Sequence, residues 1–508
     1  MLSKARLSIA CGCLSLIAAC GGTNSSGGTN PGGTGGTVSG GTGGSSGAGT
    51  GGTVGGATGG TVGGATGGTA GGGTGGGSGG TIGGGTGGSE PGDGGTMMTN
   101  CTFSNVAGAL SPKISTVGVV TFATSLAGVT AAHIDFGLTT TYGLTAPVDL
   151  KEPSYRTLLL GMKPSKMYHY RVTATGPSGS CSSGDFTLMT GAKRNGLPTL
   201  TVVTKAADKL AGGFLVTGQY PGSAGGGYII DTDGDVVWGY GINSDATSAR
   251  MSYDGKYMWI SSDNCCDASG QSTVHRVSMD GMTDENLSAQ FPGQNHQLTV
   301  LPDDSVAFYG YNQSAGCDDI KIRTPDGMTK TVVNSGKAQG VNGGCHVNTI
   351  QYSRKDDTLI FSDLDHSSYT KVTRDGKTVW VLNGPGSVFG MNLWSKNHGL
   401  DVLDVDRILI FNNGDGSAGS VAIEWKLDVT AKMATKVWTY AANPPIHVDI
   451  MGDVQRLANG NTIVAYSTRG VVHEVAADGT MLQSLSWPLG TSFGFIEKRA
   501  TLYGPPPK

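Results

Sequence analysis

The stretch Ile230-Asp231-Thr232-Asp233-Gly234-Asp235-Val236-Val237-Trp238 sets an Asp-Gly turn between two runs of β-branched and aromatic residues. The arrangement recurs as Val277-Ser278-Met279-Asp280-Gly281, Ile322-Arg323-Thr324-Pro325-Asp326-Gly327, Val372-Thr373-Arg374-Asp375-Gly376-Lys377-Thr378-Val379-Trp380 and Val475-Ala476-Ala477-Asp478-Gly479. A degenerate copy, Lys426-Leu427-Asp428, ends in Val437-Trp438. The turn residues Asp233, Asp280, Asp326, Asp375, Asp428 and Asp478 stand 47, 46, 49, 53 and 50 residues apart. A period near 50 marks a repeat architecture. An earlier turn sits inside most copies, as at Asp254-Gly255, Asp303-Asp304, Asp356-Asp357 and Asn459-Gly460. Two hairpins per period make a four-stranded antiparallel sheet, and six such sheets in a ring make a six-bladed β-propeller, expected over residues 197–495. The fold class is all-β.

Toward the N-terminus the composition changes. The chain has 508 residues and 88 glycines, and 40 of those glycines fall between positions 21 and 100. That segment is Gly, Thr and Ser with almost no charge, so it cannot bury enough apolar surface to offset its ordering entropy. It reads as a disordered linker, with an r.m.s. span of roughly 50 Å for a Gly-rich coil. Before it, Lys4 and Arg6 precede an apolar run from Leu7 to Ala19. Small residues then lead to Cys20, the pattern of an export signal. The ending resembles a bacterial lipobox, which implies lipidation of Cys20 and a cell-envelope location, periplasmic or at the outer-membrane surface. The membrane is then touched through the lipid anchor only. A net charge of -4 offers no electrostatic reason for a nucleic-acid partner.

Residues 101–193 show short alternating segments, Gly118-Val119-Val120-Thr121-Phe122, Ala132-His133-Ile134-Asp135-Phe136 and Met167-Tyr168-His169-Tyr170-Arg171-Val172, divided by turn residues. This reads as a small β-sandwich. Met162-Lys163-Pro164 followed by Tyr168 resembles the tyrosine-corner region of fibronectin type III domains, with Tyr168 in a structural role. Export implies oxidation, so Cys101, Cys181, Cys265, Cys266, Cys317 and Cys345 are disulfide candidates. Cys101 and Cys181 flank one segment and are expected to pair. The other pairings stay open.

Aligning the copies puts Asn295-His296-Gln297-Leu298, His346-Val347-Asn348-Thr349 and Asn397-His398-Gly399-Leu400 at one register, the start of the innermost strand of the third, fourth and fifth blades. Imidazoles converging there can serve as acid, base or nucleophile. With Asp363 or Asp365 they could instead bind a transition metal. His275 and His473 read as structural, and His447 lies before the sixth inner strand.

With Phe411-Asn412-Asn413-Gly414 and Gln455-Arg456-Leu457-Ala458-Asn459-Gly460-Asn461-Thr462, these motifs resemble the bacterial arylsulfotransferases, the PAPS-independent aryl-sulfate sulfotransferases. The resemblance implies a six-bladed propeller behind a small sandwich, no cofactor, and a small phenolic substrate. It implies that His398 becomes sulfated, that His346 and His296 act as acid–base groups, and that Asn348 and Asn412 bind substrate. The chain departs from the family at Phe361-Ser362-Asp363-Leu364-Asp365, where Leu364 stands in place of a sulfate-holding Arg. The alternative function is a non-catalytic surface propeller that binds a glycan, peptide or protein at the channel mouth, and a homodimer is compatible with either.

Overall fold

The computed structural model describes residues 100–506 apart from 198, 221–224, 263–271, 417 and 489. The signal segment, the Gly-rich linker, Cys20, Cys265 and Cys266 lie outside the described residues. Nearly all regular structure is strand; among the described residues one short α-helix, Ser335–Gln339, and four three-residue 3-10 turns interrupt it. None of the helices described is long and apolar enough to cross a membrane.

Residues 197 onward form six antiparallel sheets in the expected order. Blades two to five are each built from four consecutive strands, beginning with the inner strands Ser248–Met251, Gln294–Val300, Ile350–Ser353 and Asn397–Asp404. The ring closes through both chain ends. Ser492–Arg499 pairs with Phe214–Tyr220 as the inner strand of the first blade, and Thr201–Thr204 adds a fifth, outer strand to the sixth. The expected limit at residue 495 therefore falls inside a strand.

The repeated turn explains the repeat. Gly376 has φ of 88°, and a Cβ there would stand 2.3 Å from the Val332 carbonyl, so only glycine fits. Register slips beside five of the six turns, between Lys371 and Val372 in the fourth blade, matching a three-residue hairpin with a bulge. Apolar residues on both faces of each sheet pack against the neighbouring blade, as where Tyr369, Trp380 and Ile360 meet Leu400, Ile410 and Trp425. Burying side chains of this size contributes about 1.5–3 kcal/mol each.

Residues 103–189 form a sandwich of a three-stranded sheet and a larger sheet around Ile134, Phe136, Tyr170 and Val172. Tyr168 behaves as a corner residue, its hydroxyl accepting from Lys163 N at 2.8 Å. Cys101 and Cys181 are disulfide-bonded, as expected. The sandwich docks on the Asp-Gly turns of the first two blades. Lys163 Nζ lies 2.6, 2.9 and 2.7 Å from Asp231, Asp233 and Asp235, and Arg156 reaches Asp280 at 2.5 Å. Tyr503 of the C-terminal tail seals the joint, bonding Leu158 O and Leu160 N.

Candidate active site

Two of the three histidines owe their placement to bulges. Pairing of the inner strand slips between Gln294 and Leu298 in the third blade and between Asn397 and Leu400 in the fifth. A bulge re-aims the side chain it carries, here His296 and His398. His296 has φ of 42°, a left-handed conformation that a β-carbon resists. It is held there by Asn295 Oδ1, which accepts from His296 N at 2.9 Å, and by the Thr247 hydroxyl, which donates to His296 O at 2.8 Å.

His346 precedes its blade's inner strand. Its backbone N–H donates to Asp363 Oδ1 at 3.2 Å, and its carbonyl accepts from Leu364 N at 2.9 Å. Asp363 is fully buried; hydrogen bonds from His366 and Gln339 outweigh burial and hold its carboxyl below the ordinary range. The acidic segment is thus split: Asp363 anchors the His346 loop and Asp365 is exposed. The Cys317–Cys345 disulfide fastens the same loop to the third blade.

The structure brings His296 and His346 together, Nε2 to Nε2 at 3.4 Å with rings 7° from parallel. A bond between two ring nitrogens needs a proton on one and a lone pair on the other, so the pair is a built proton donor and acceptor. His398 lies one blade on at the matching register. Its Nδ1 is 2.8 Å from Asn413 Oδ1. The Asn413 amide donates to both Val448 O and Met451 O, at 3.0 and 2.9 Å, which fixes its oxygen toward His398. The proton therefore sits on Nδ1, and the lone pair of the neutral ring on Nε2. Gly399 is required beside it, since a Cβ would stand 2.0 Å from Asp453 Oδ1.

The two asparagines expected to bind substrate have structural partners. Asn348 donates to Asn397 O at 2.9 Å and accepts from the Ser362 hydroxyl, a strut between the fourth and fifth blades. Asn412 accepts from Gly414 N at 3.1 Å. Asn413, quoted in the same motif, is the residue that touches His398, and the sequence reading passed over it. Neither Asp363 nor Asp365 joins the three imidazoles. Among the described residues, the group of three metal-type donors is Cys345, Asp363 and His366, and Cys345 is tied in its disulfide. His275 is bonded to Asp284 and His473 to Tyr440, where burial pushes the imidazole down to about 4. His447 contacts Asp449.

Beyond the histidines the channel opens into a chamber of about 320 Å³ formed by the later residues of the inner strands. Arg250 and Asp453 are buried in its wall, and Asp401 keeps part of its surface on it. Burial pushes the Asp453 carboxyl up to about 7 against the pull of Arg250, and Asp401 up to about 6.

Residues 314–486 match the arylsulfotransferase (ASST) family profile, a span that includes His346 and His398 but not His296. Comparison with curated proteins finds no match. Among solved structures, the chain is similar to TolB from Acinetobacter baumannii at 14% identity, covering 66% of this chain and 81% of that one with a TM-score of 0.40. It is also similar to virginiamycin B lyase from Staphylococcus aureus at 12% identity, covering 57% and 89% with a TM-score of 0.35.

Proposed function

We propose that the chain transfers a sulfuryl group from a phenolic sulfate ester to a phenol through a sulfated His398. The observation that carries this reading is the Asn413 bond that assigns the His398 lone pair to Nε2. The match over residues 314–486 supports the general class. In the first step the Nε2 lone pair forms an N–S bond as the S–O bond to the aryl group breaks, and the leaving phenolate takes a proton from the His296–His346 pair. In the second, the acceptor phenol gives its proton to that pair while its oxygen bonds sulfur and the N–S bond breaks. The sandwich, read as fibronectin type III-like, and the lipidated linker would hold the propeller away from the envelope surface.

Leu364 favours the second reading, a surface propeller that binds a glycan, peptide or protein at the mouth, because the segment offers no cation to an anionic substrate. Nitrophenyl sulfate with a phenol acceptor separates the two. Acceptor-dependent nitrophenol release, abolished in His398→Ala, is expected. No turnover with any aryl sulfate by a folded protein would remove the enzyme reading.

A further inference from the structure

The chamber past the histidines is walled by all six inner strands. None of the three histidines lines it, although it begins at Leu400, two residues beyond His398, and Asp453 in its wall backs onto Gly399. At its far end, Arg354 donates to Pro506 O at 3.0 Å, drawing the C-terminal tail across the opening.

Its cations differ in how they are used. Arg354 also holds the Tyr253 hydroxyl at 2.8 Å, Lys355 holds Asp404 at 2.8 Å, and Arg456 holds Glu424 at 2.7 Å. Arg250 is more than nine-tenths buried, yet among the described residues its guanidinium makes one hydrogen bond, to Ala249 O at 3.3 Å. Asp453 stands 3.7 Å away, outside hydrogen-bond range, with its oxygens accepting from Val454 N and Ile496 N. A guanidinium in the wall of a concave chamber, with few protein acceptors on its N–H groups, leaves those donors to whatever occupies the chamber.

We infer that this chamber is a binding site for a small oxyanion, a sulfate, phosphate or carboxylate group, with Arg250 as its bidentate donor. A guanidinium fork matches two oxygens of such a group, whereas Asp453 pairs with Arg250 by charge at 3.7 Å without hydrogen-bonding it. The site does not depend on the reaction proposed for His398.

Titration calorimetry on the full chain with inorganic sulfate, inorganic phosphate and acetate in separate arms tests it, and the arm with the tightest binding identifies the oxyanion. One site is expected, weakened at least about tenfold in Arg250→Met. Arg250→Lys, which keeps the charge and loses the fork, should fall between the two and covers the case in which Arg250→Met fails to fold. Equal binding in the Arg250 variants, or no binding of any of the three anions up to about 100 mM, would each overturn the assignment.

Discussion

Replacing Asp453 by Asn should make the protein more stable, and increasingly so as pH rises. Asp453 is 1% exposed, and burial lifts its carboxyl to about 7, against about 3.9 in an unfolded chain. The raised value means the folded state holds its proton where the unfolded state has already released one. Stability is therefore unaffected below the unfolded value, falls as pH climbs through the interval, and is lowest above the folded value. The penalty integrates to about 1.5 kcal/mol at pH 5 and about 4 kcal/mol at pH 8. Asn imitates the protonated acid beside Arg250 at every pH and escapes that penalty. Its NH2 opposes one of the two backbone donors, Val454 N and Ile496 N, a cost that is the same at both pH values. For about 400 ordered residues unfolding together, 1 kcal/mol corresponds to roughly 1 °C. The Tm of Asp453→Asn relative to the unmodified protein should thus rise by about 3 °C between pH 5 and pH 8. Scanning calorimetry at both values reads it directly. A Tm difference that stays flat or shrinks with pH would refute the assignment of a buried, proton-holding carboxyl.

Three further outcomes follow from the contacts. Asn413→Ala removes the acceptor that keeps the His398 proton on Nδ1, and turnover of an aryl sulfate should drop about 10- to 100-fold with KM little changed. Cys317→Ser opens a loop whose ends are 28 residues apart, and denaturant unfolding should show a loss of about 3.5 kcal/mol on the chain-entropy account. Lys163→Met leaves Asp231, Asp233 and Asp235 facing one another without their ammonium, a loss larger than the 0–1 kcal/mol of a surface pair. Millimolar calcium should raise the Tm of Lys163→Met and leave the unmodified protein unmoved, and an equal response in both would contradict the clamp.

The blades were legible because their signal is local: Asp375 and Gly376 specify a turn, and the strands on either side follow from a few residues. Ring closure was not, since Phe214–Tyr220 and Ser492–Arg499 meet across almost the whole propeller and neither strand carries a mark of the other. Register exposed His296, His346 and His398 together. It did not distinguish Asn412 from Asn413, because one residue of phase decides which side of a strand end an amide faces. Arg250 was missed for a related reason. It occupies the third position of the second blade's inner strand, past the register at which the histidines drew attention.

Position 364 and Arg250 bear on one question. A chain that resembles an anion-transferring family but carries Leu364 needs another cation if it is to hold an anion at all, and the nearby His366, which Asp363 pushes toward its charged form, is already paired with that carboxylate. Asp363 is committed to Gln339, His366 and the His346 backbone, so an Arg placed at 364 would meet a carboxylate already spoken for. Leu364→Arg alone should therefore do little for sulfate-ester turnover. The channel's own underused guanidinium lies a step further in, on a different blade. The oxyanion site and the reaction proposed for His398 are separable: Arg250→Lys should weaken binding of the inorganic anion while KM for aryl sulfates is unchanged. A KM that rises in Arg250→Lys would tie the chamber to the reaction and refute that separation.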